Sequence, residues 1–248
     1  MTDLLKLTSL CQNLECEYIL NAPMKDYTTF QIGGPCDILV RPYDEGQTAA
    51  LIQFCAANGI RWQVIGNGSN LLVPDGGVSG AVIQIGSNFS YIRKSLKEGE
   101  ILCAAGASLS AAAAFAQKEG LTGLEFAWGI PGNVGGALFM NAGAYGGEMK
   151  DVVVCADYVD GMGNTRTIAA SEMQLGYGLA NIINILAPEV LVIGGGVSNE
   201  GENLLRPLVE SVRPQLYVRV PEKQTRIVLA TLGNDAGLIG AAFLNRAR

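Results

Sequence analysis

The chain has 248 residues, of which 49% are hydrophobic and 16% charged, enough apolar material for a buried core and too ordered a composition for a disordered protein. Its net charge of −6, with no basic block anywhere, argues against nucleic acid as a partner. It contains no histidine, which excludes a Ser-His-Asp triad, a Cys-His dyad and every histidine-containing metal site.

The cysteines, Cys11, Cys16, Cys36, Cys55, Cys103 and Cys155, form no C-x-x-C pair, so reduced and mostly buried thiols are expected rather than a zinc or redox motif. No metal site is expected. The N-terminus carries Asp3, Lys6 and Glu15 and does not read as a signal peptide. The most apolar segment, Gly178 to Gly196, is interrupted by Asn181, Asn184, Pro188 and Glu189, too polar a set to span a bilayer. A soluble, cytoplasmic protein with no membrane partner is expected.

In chain order, residues 1–22 read as a helix or two with loops, and Met24–Phe30 as polar and extended. Gln31–Arg41 reads as a turn at Gly33-Gly34-Pro35 followed by a strand. Asp44–Gly59 has the pattern of a helix capped by Asp44 and ended by Gly59, with Ala49, Leu51, Ile52, Phe54, Cys55 and Ala56 on a broad buried side. Trp62–Ile65 is a short strand running into Gly66-Asn-Gly-Ser-Asn-Leu-Leu72. Two glycines and two amide side chains directly after a strand can form a nest of N–H donors for an anion. The loop lacks Gly-x-Gly-x-x-Gly and the P-loop lysine, so neither standard nucleotide motif applies. Val73–Gly77 reads as a turn, and Ala81–Ile85 and Glu98–Ala105 as strands. Gly106–Gly120 reads as a helix capped by Ser108 or Ser110, with Ala111–Ala114 and Phe115 as its packing face.

Phe126–Glu148 is the densest glycine segment: Gly129, Gly132, Gly135, Gly136, Gly143, Gly146 and Gly147 lie within it, around Pro131. Glycine loses the most freedom on folding, so such a run implies unusual dihedrals or a close approach to the backbone. With few charges present, backbone N–H groups would supply the contacts, which suits phosphates and flat rings. Val152–Val159 and Thr165–Ile168 read as strands joined by the turn Asp160-Gly-Met-Gly-Asn164, and Ala169–Tyr177 as a short helix or loop.

From Gly178 the pattern alternates: helix 179–186, buried strand Val190–Ile193, a turn at Gly194-Gly-Gly196, amphipathic helix Glu202–Val212, strand Ile227–Ala230 and helix Asp235–Asn245. Such alternation reads as part of a parallel sheet with covering helices.

Residues 24–177 resemble the flavin-binding part of the MurB family, the UDP-N-acetylenolpyruvoylglucosamine reductases. The matching motifs are Tyr27-Thr-Thr-Phe-Gln-Ile-Gly-Gly34, Val64-Ile-Gly-Asn-Gly-Ser-Asn-Leu-Leu72, Gly123-Leu-Glu-Phe126, Gly129-Ile-Pro-Gly-Asn-Val-Gly-Gly136 and Met140-Asn-Ala-Gly-Ala-Tyr-Gly-Gly-Glu148. The resemblance implies an α+β fold of two lobes, residues 1–82 and 83–177, holding FAD between them. The cofactor-binding residues it implies are Ile65, Gly66, Asn67, Gly68, Ser69, Asn70 and Leu71 at the pyrophosphate, with Gly129, Ile130, Pro131, Gly132, Gly135, Gly136, Asn141, Ala142, Gly143, Ala144, Tyr145 and Gly146 along the flavin and its phosphate arm. The family passes hydride from NADPH through the flavin to an enolpyruvyl sugar nucleotide in peptidoglycan synthesis.

Residues 178–248 resemble the C-terminal part of ROK-family sugar kinases, which include glucokinases, on Gly178–Ser198 and Leu232–Ala242. That resemblance implies an α/β segment like half of a ROK/actin-like kinase lobe. The seam falls at Gly176-Tyr177-Gly178, where Gly178 stands in place of the MurB active-site arginine, and the family's serine and late glutamate have no counterpart. Three readings follow: an FAD-binding flavoprotein of the MurB type with impaired or absent reductase activity, a sugar-kinase fragment lacking its catalytic half, or a non-enzymatic chimeric chain. FAD binding is the expectation, with no catalytic residue assigned.

Overall fold

Side-chain alternation along two strands organises the first half of the chain. A computed structural model of the protein describes residues 2–173, 190–193, 201–213 and 224–229. The chain divides into two units, Met1–Ile168 and Ala169–Arg248.

The first unit opens with helix α1 (Thr2–Asn13) and strand β1 (Glu17–Pro23), followed by β2 (Pro35–Arg41), helix α2 (Glu45–Ala57), β3 (Trp62–Ile65) and β4 (Val78–Gln84). The strands form a four-stranded sheet in the order β1-β2-β4-β3. β1 runs antiparallel to β2, whereas β2 and β3 both pair parallel with β4. In β2, Ile38 and Val40 join the core under α1 and α2, with Leu7, Leu51 and Cys55, while Cys36 and Leu39 face the opposite layer with Met24, Ile65 and Val73. β4 splits the same way, Ala81 and Ile83 to one side and Val82 to the other. Both faces of these inner strands are therefore covered, which is why their sequences read as continuous apolar runs. Asp44 caps α2 as expected, its Oδ1 accepting from the Gln47 N–H at 2.8 Å.

The same unit goes on to β5 (Ile92–Lys94), β6 (Ile101–Cys103), α3 (Leu109–Lys118) and α4 (Val134–Met140). It continues with β7 (Gly143–Ala144), β8 (Gly147–Glu148), α5 (Met149–Val152), β9 (Cys155–Val159) and β10 (Thr165–Ala169). The core of this part is built from Leu109, Ala112 and Ala113 of α3 against Phe126, Ala127, Val134 and Met149. Ser108 caps α3 by accepting from the Ala111 N–H at 3.1 Å, whereas Ser110 donates to the Trp128 carbonyl. The expected Asp160–Asn164 turn forms, with Asp160 Oδ1 accepting from the N–H groups of Met162 and Asn164, each at 2.9 Å.

Several local expectations are corrected. Met24–Phe30 is not extended: Met24–Tyr27 is a 3-10 turn, because Met24 turns inward and is 1% exposed. β1 was not legible, since its side chains alternate poorly between exposed and buried. The strand expected over Glu98–Ala105 shortens to β6, and that expected from Val152 starts at Cys155 because Met149–Val152 is helical. The packing face of α3 is Leu109, Ala112, Ala113 and Ala116 rather than a run including Ala111, which is exposed.

Among the described residues of the second unit, β11 (Val190–Ile193) pairs parallel with β12 (Arg226–Leu229), and helix α6 (Glu202–Val212) supplies the cover. Leu208 and Val212 of α6 pack with Ile193, flanked by Leu191, Leu204, Ile227 and Leu229. The parallel pairing and the helix agree with the alternation read from the sequence. Helices expected at 179–186 and Asp235–Asn245, the Gly194–Gly196 turn and the Gly176–Gly178 seam lie outside the described residues.

Candidate functional site

The Gly66–Leu71 loop leaves the carboxyl end of β3, where open α/β sheets place their ligand crevices. Ile65, Leu71 and Val73 anchor the two ends of this loop in the core below. Gly68 sits deepest, with φ +64°, and a Cβ there would overlap the Tyr27 carbonyl oxygen. That close approach is what lets Thr29 donate its N–H to the Gly68 carbonyl at 3.1 Å. The Tyr27–Gly34 motif is thus brought onto the Gly66 loop. Gly34 is itself held by the next turn, its N–H donating to the Pro74 carbonyl at 3.0 Å.

Pro131–Asn133, far along the chain in the same unit, meets the same loop. Asn67 donates its N–H to Asn133 Oδ1 at 2.6 Å, and Ser69 Oγ donates to the Pro131 carbonyl at 3.3 Å. The segment is seated by an unbroken backbone ladder: Leu109 N–H to Gly132 O at 3.0 Å, Val134 N–H to Ala107 O at 2.8 Å and Gly135 N–H to Ala105 O at 2.8 Å. A Cβ on Gly135 would come within 2.8 Å of the Ala105 Cβ, so that glycine is required by the ladder itself.

Other glycines have no such explanation. A Cβ on Gly129, Gly136 or Gly146 would meet nothing within 4 Å among the described residues. Gly146 has φ +87°, which accounts for it, but Gly129 and Gly136 do not have positive φ. Gly136 lies inside α4, where glycine costs about 0.5–1 kcal/mol relative to alanine. Packing among the described residues does not call for it. Among the described residues, the N–H groups of Gly68, Ser69, Asn70, Leu71 and Gly136 also donate to no protein acceptor. One further group is unmatched: the 8% exposed Gln84, at the end of β4, donates to the Gly66 carbonyl, yet its Oε1 is buried without a partner.

The Asn141–Gly146 segment runs from the end of α4 into the β7–β8 hairpin, about 10 Å of helix from Asn133. Gly147 lies against the Phe126 ring. Asn141, left-handed at φ +46°, ends α4 and donates to Glu148 at 2.6 Å while accepting from the Lys150 N–H at 2.9 Å. The Lys150 ammonium, 2.5 Å away, and the Asn141 amide hold the Glu148 carboxyl below its usual range. Tyr145, at φ +54°, stands at the tip, 95% exposed. Gly66–Asn70 and Pro131–Gly132 are therefore in direct contact, while no hydrogen bond among the described residues joins the hairpin to the Gly66 loop.

Four of the buried or half-buried thiols are poor nucleophiles here. Burial pushes Cys11 up to about 12 and Cys16, Cys55 and Cys103 up to about 11, so these are neutral at pH 7. Among the described residues, no cluster of Cys, Asp and Glu is placed to hold a metal ion, and no helix is long and apolar enough to cross a membrane. The site offers N–H donors, open glycine surface and few charges. Sequence reading includes Asn133 in a family motif without giving it a role of its own, and it misses Gln84, which carries no signal.

The FAD binding domain family matches residues 36–169, a span containing the Gly66–Leu71 loop and the Gly129–Gly136 segment, and the ROK family matches residues 135–248. The UDP-N-acetylenolpyruvoylglucosamine reductase of Heliobacterium modesticaldum is 43% identical over 171 residues, 69% of this chain and 54% of that protein. The Clostridium tetani enzyme of the same name is 36% identical over 219 residues, 87% of this chain and 70% of that protein, a match too long to stop at the seam. The solved MurB of Thermus caldophilus is 34% identical with a TM-score of 0.51, over 63% of this chain and 53% of that one. A chitooligosaccharide oxidase at 15% identity and TM-score 0.52 shares the fold, over 69% of this chain and 38% of that one. The chain spans about half the length of the first curated relatives it matches, 54% and 51%.

Proposed function

We propose, from the premise that this chain belongs to the UDP-N-acetylenolpyruvoylglucosamine reductase family and carries an FAD binding domain, that the Gly66–Leu71 and Gly129–Gly136 loops hold FAD across the two lobes. The observation that carries this reading is a pair of glycines, Gly129 and Gly136, that the described residues do not require, beside a loop whose N–H groups find no acceptor among those residues. Those donors suit the pyrophosphate, and open glycine surface suits a flat ring. Residues 1–82 and 83–177 act as the two FAD-binding lobes, with the Asn141–Gly146 hairpin beside the flavin arm. Residues 178–248 form a ROK-like segment where a MurB substrate domain would stand.

When bound, FAD supplies hydride transfer, in this family from NADPH to an enolpyruvyl sugar nucleotide. This chain's residues bind and orient the cofactor. A proton donor and a substrate-orienting arginine are also needed, and Gly178 stands at the arginine's position. Reduction of the sugar nucleotide is accordingly weak or absent, with slow unspecific NADPH oxidation remaining. The test is to follow NADPH absorbance with the FAD-loaded chain, with and without UDP-N-acetylenolpyruvoylglucosamine. The expected result is a slow rate that the substrate does not change. A substrate-dependent rate typical of an enzyme, about 1 s⁻¹ or more, would contradict the impairment.

A further inference from the structure

Asn133 is the N-cap residue of α4, with extended backbone at φ −102° and ψ 157°, yet its side chain makes no capping bond to its own helix. Asparagine is among the best N-cap residues because its oxygen can take a free N–H of the first turn. Here the side chain turns away instead. Its Oδ1 accepts the Asn67 N–H at 2.6 Å, and its Nδ2 donates to the Gly106 carbonyl at 2.5 Å. The residue is 4% exposed, so both bonds are sheltered from water. A Cβ on Gly66 would come within 2.7 Å of that Oδ1, so the loop can take this bond only with glycine at 66.

We propose that Asn133 is a positioning residue for the cofactor: its amide ties the Gly66–Leu71 loop to the second lobe at Gly106 and sets the directions of the loop's unspent N–H groups. This rests on the FAD reading above. The side chain spends its oxygen and one of its amide hydrogens on the protein, so it acts through the loop rather than by touching the ligand. An amide is the group suited to the task, since it donates and accepts at once. Aspartate would present an oxygen to the Gly106 carbonyl, and serine is too short to span both partners. The other ties to the loop are longer: Ser69 Oγ to Pro131 O at 3.3 Å, Thr29 N–H to Gly68 O at 3.1 Å and Gln84 Nε2 to Gly66 O at 3.4 Å.

The test compares the full-length chain with Asn133→Ala in titrations with FAD, ADP and riboflavin, and by amide hydrogen exchange without ligand. Loss of the tie is expected to weaken FAD and ADP, which both carry the pyrophosphate, by the same factor of about ten to a hundred. Riboflavin affinity is expected to stay the same, and the Asn67 N–H of the ligand-free chain to exchange about tenfold faster. Equal FAD and ADP affinity in variant and wild type would overturn the proposal, as would a loss of riboflavin affinity matching the loss of ADP affinity, which indicates general loosening. If the alanine variant does not fold, Asn133→Ser carries the same readouts and the same criteria. Failure of the wild-type chain to bind FAD would instead sink the FAD reading, and Asn67 exchange would still report whether the tie exists.

Discussion

Gly68→Ala is expected to destabilise the first unit by about 2–4 kcal/mol and to abolish FAD uptake. Two costs combine. At φ +64° an alanine carries a left-handed penalty of about 1–2 kcal/mol. Its Cβ would also lie 2.9 Å from the Thr28 Cα and overlap the Tyr27 carbonyl oxygen, both of them backbone that cannot rotate aside. The Tyr27–Thr29 segment would have to withdraw, breaking the bond from the Thr29 N–H to the Gly68 carbonyl. Gly59 provides the control. It has the same φ of +64°, but its added Cβ would meet nothing within 4 Å. Gly59→Ala should therefore cost only the conformational part, about 1–2 kcal/mol. Denaturant midpoints of the two variants measure the difference directly. Equal losses would mean that contact between the Tyr27 and Gly66 segments contributes nothing.

Gly136→Ala is expected to act in opposite directions on stability and on binding. Inside α4, alanine should stabilise the ligand-free chain by about 0.5–1 kcal/mol, because glycine leaves the unfolded chain more freedom to lose. The same methyl group would stand over the open surface proposed for the cofactor. Forcing one methyl into a filled site costs about 2 kcal/mol, so FAD should bind about thirtyfold more weakly. Thermal melts without cofactor and FAD titrations together read the two effects. A variant that is more stable and binds FAD as well as wild type would show that Gly136 does not face the cofactor.

Much of the fold was legible because its signals are local. Asp44 before an apolar-periodic run, Ser108 before a row of alanines, and Asp160-Gly-Met-Gly-Asn164 between two strands each specify their element within a few residues. The alternation from Val190 to Leu229 likewise predicted parallel strands with a helix between them, and β11, α6 and β12 form so. β1 was missed because an edge strand with mixed exposure has no clear period, and the Met24–Tyr27 turn because only tertiary packing draws Met24 inward. In the candidate site, the glycine loops were visible as composition and as family motifs. Their division into kinds was not. Gly68 and Gly135 are fixed by contacts with Tyr27 and Ala105, whereas a Cβ on Gly129 or Gly136 would meet no atom of the described residues within 4 Å, and sequence spacing cannot separate the two cases. The role of Asn133 was hidden for the same reason, since its partners lie 66 and 27 residues away along the chain.

The measurement that bears most directly on this account is a titration of FAD into the purified, ligand-free full chain, followed by quenching of flavin fluorescence. The glycine loops predict saturable binding of one FAD per chain, in competition with ADP. A folded chain that takes up no FAD would contradict the account.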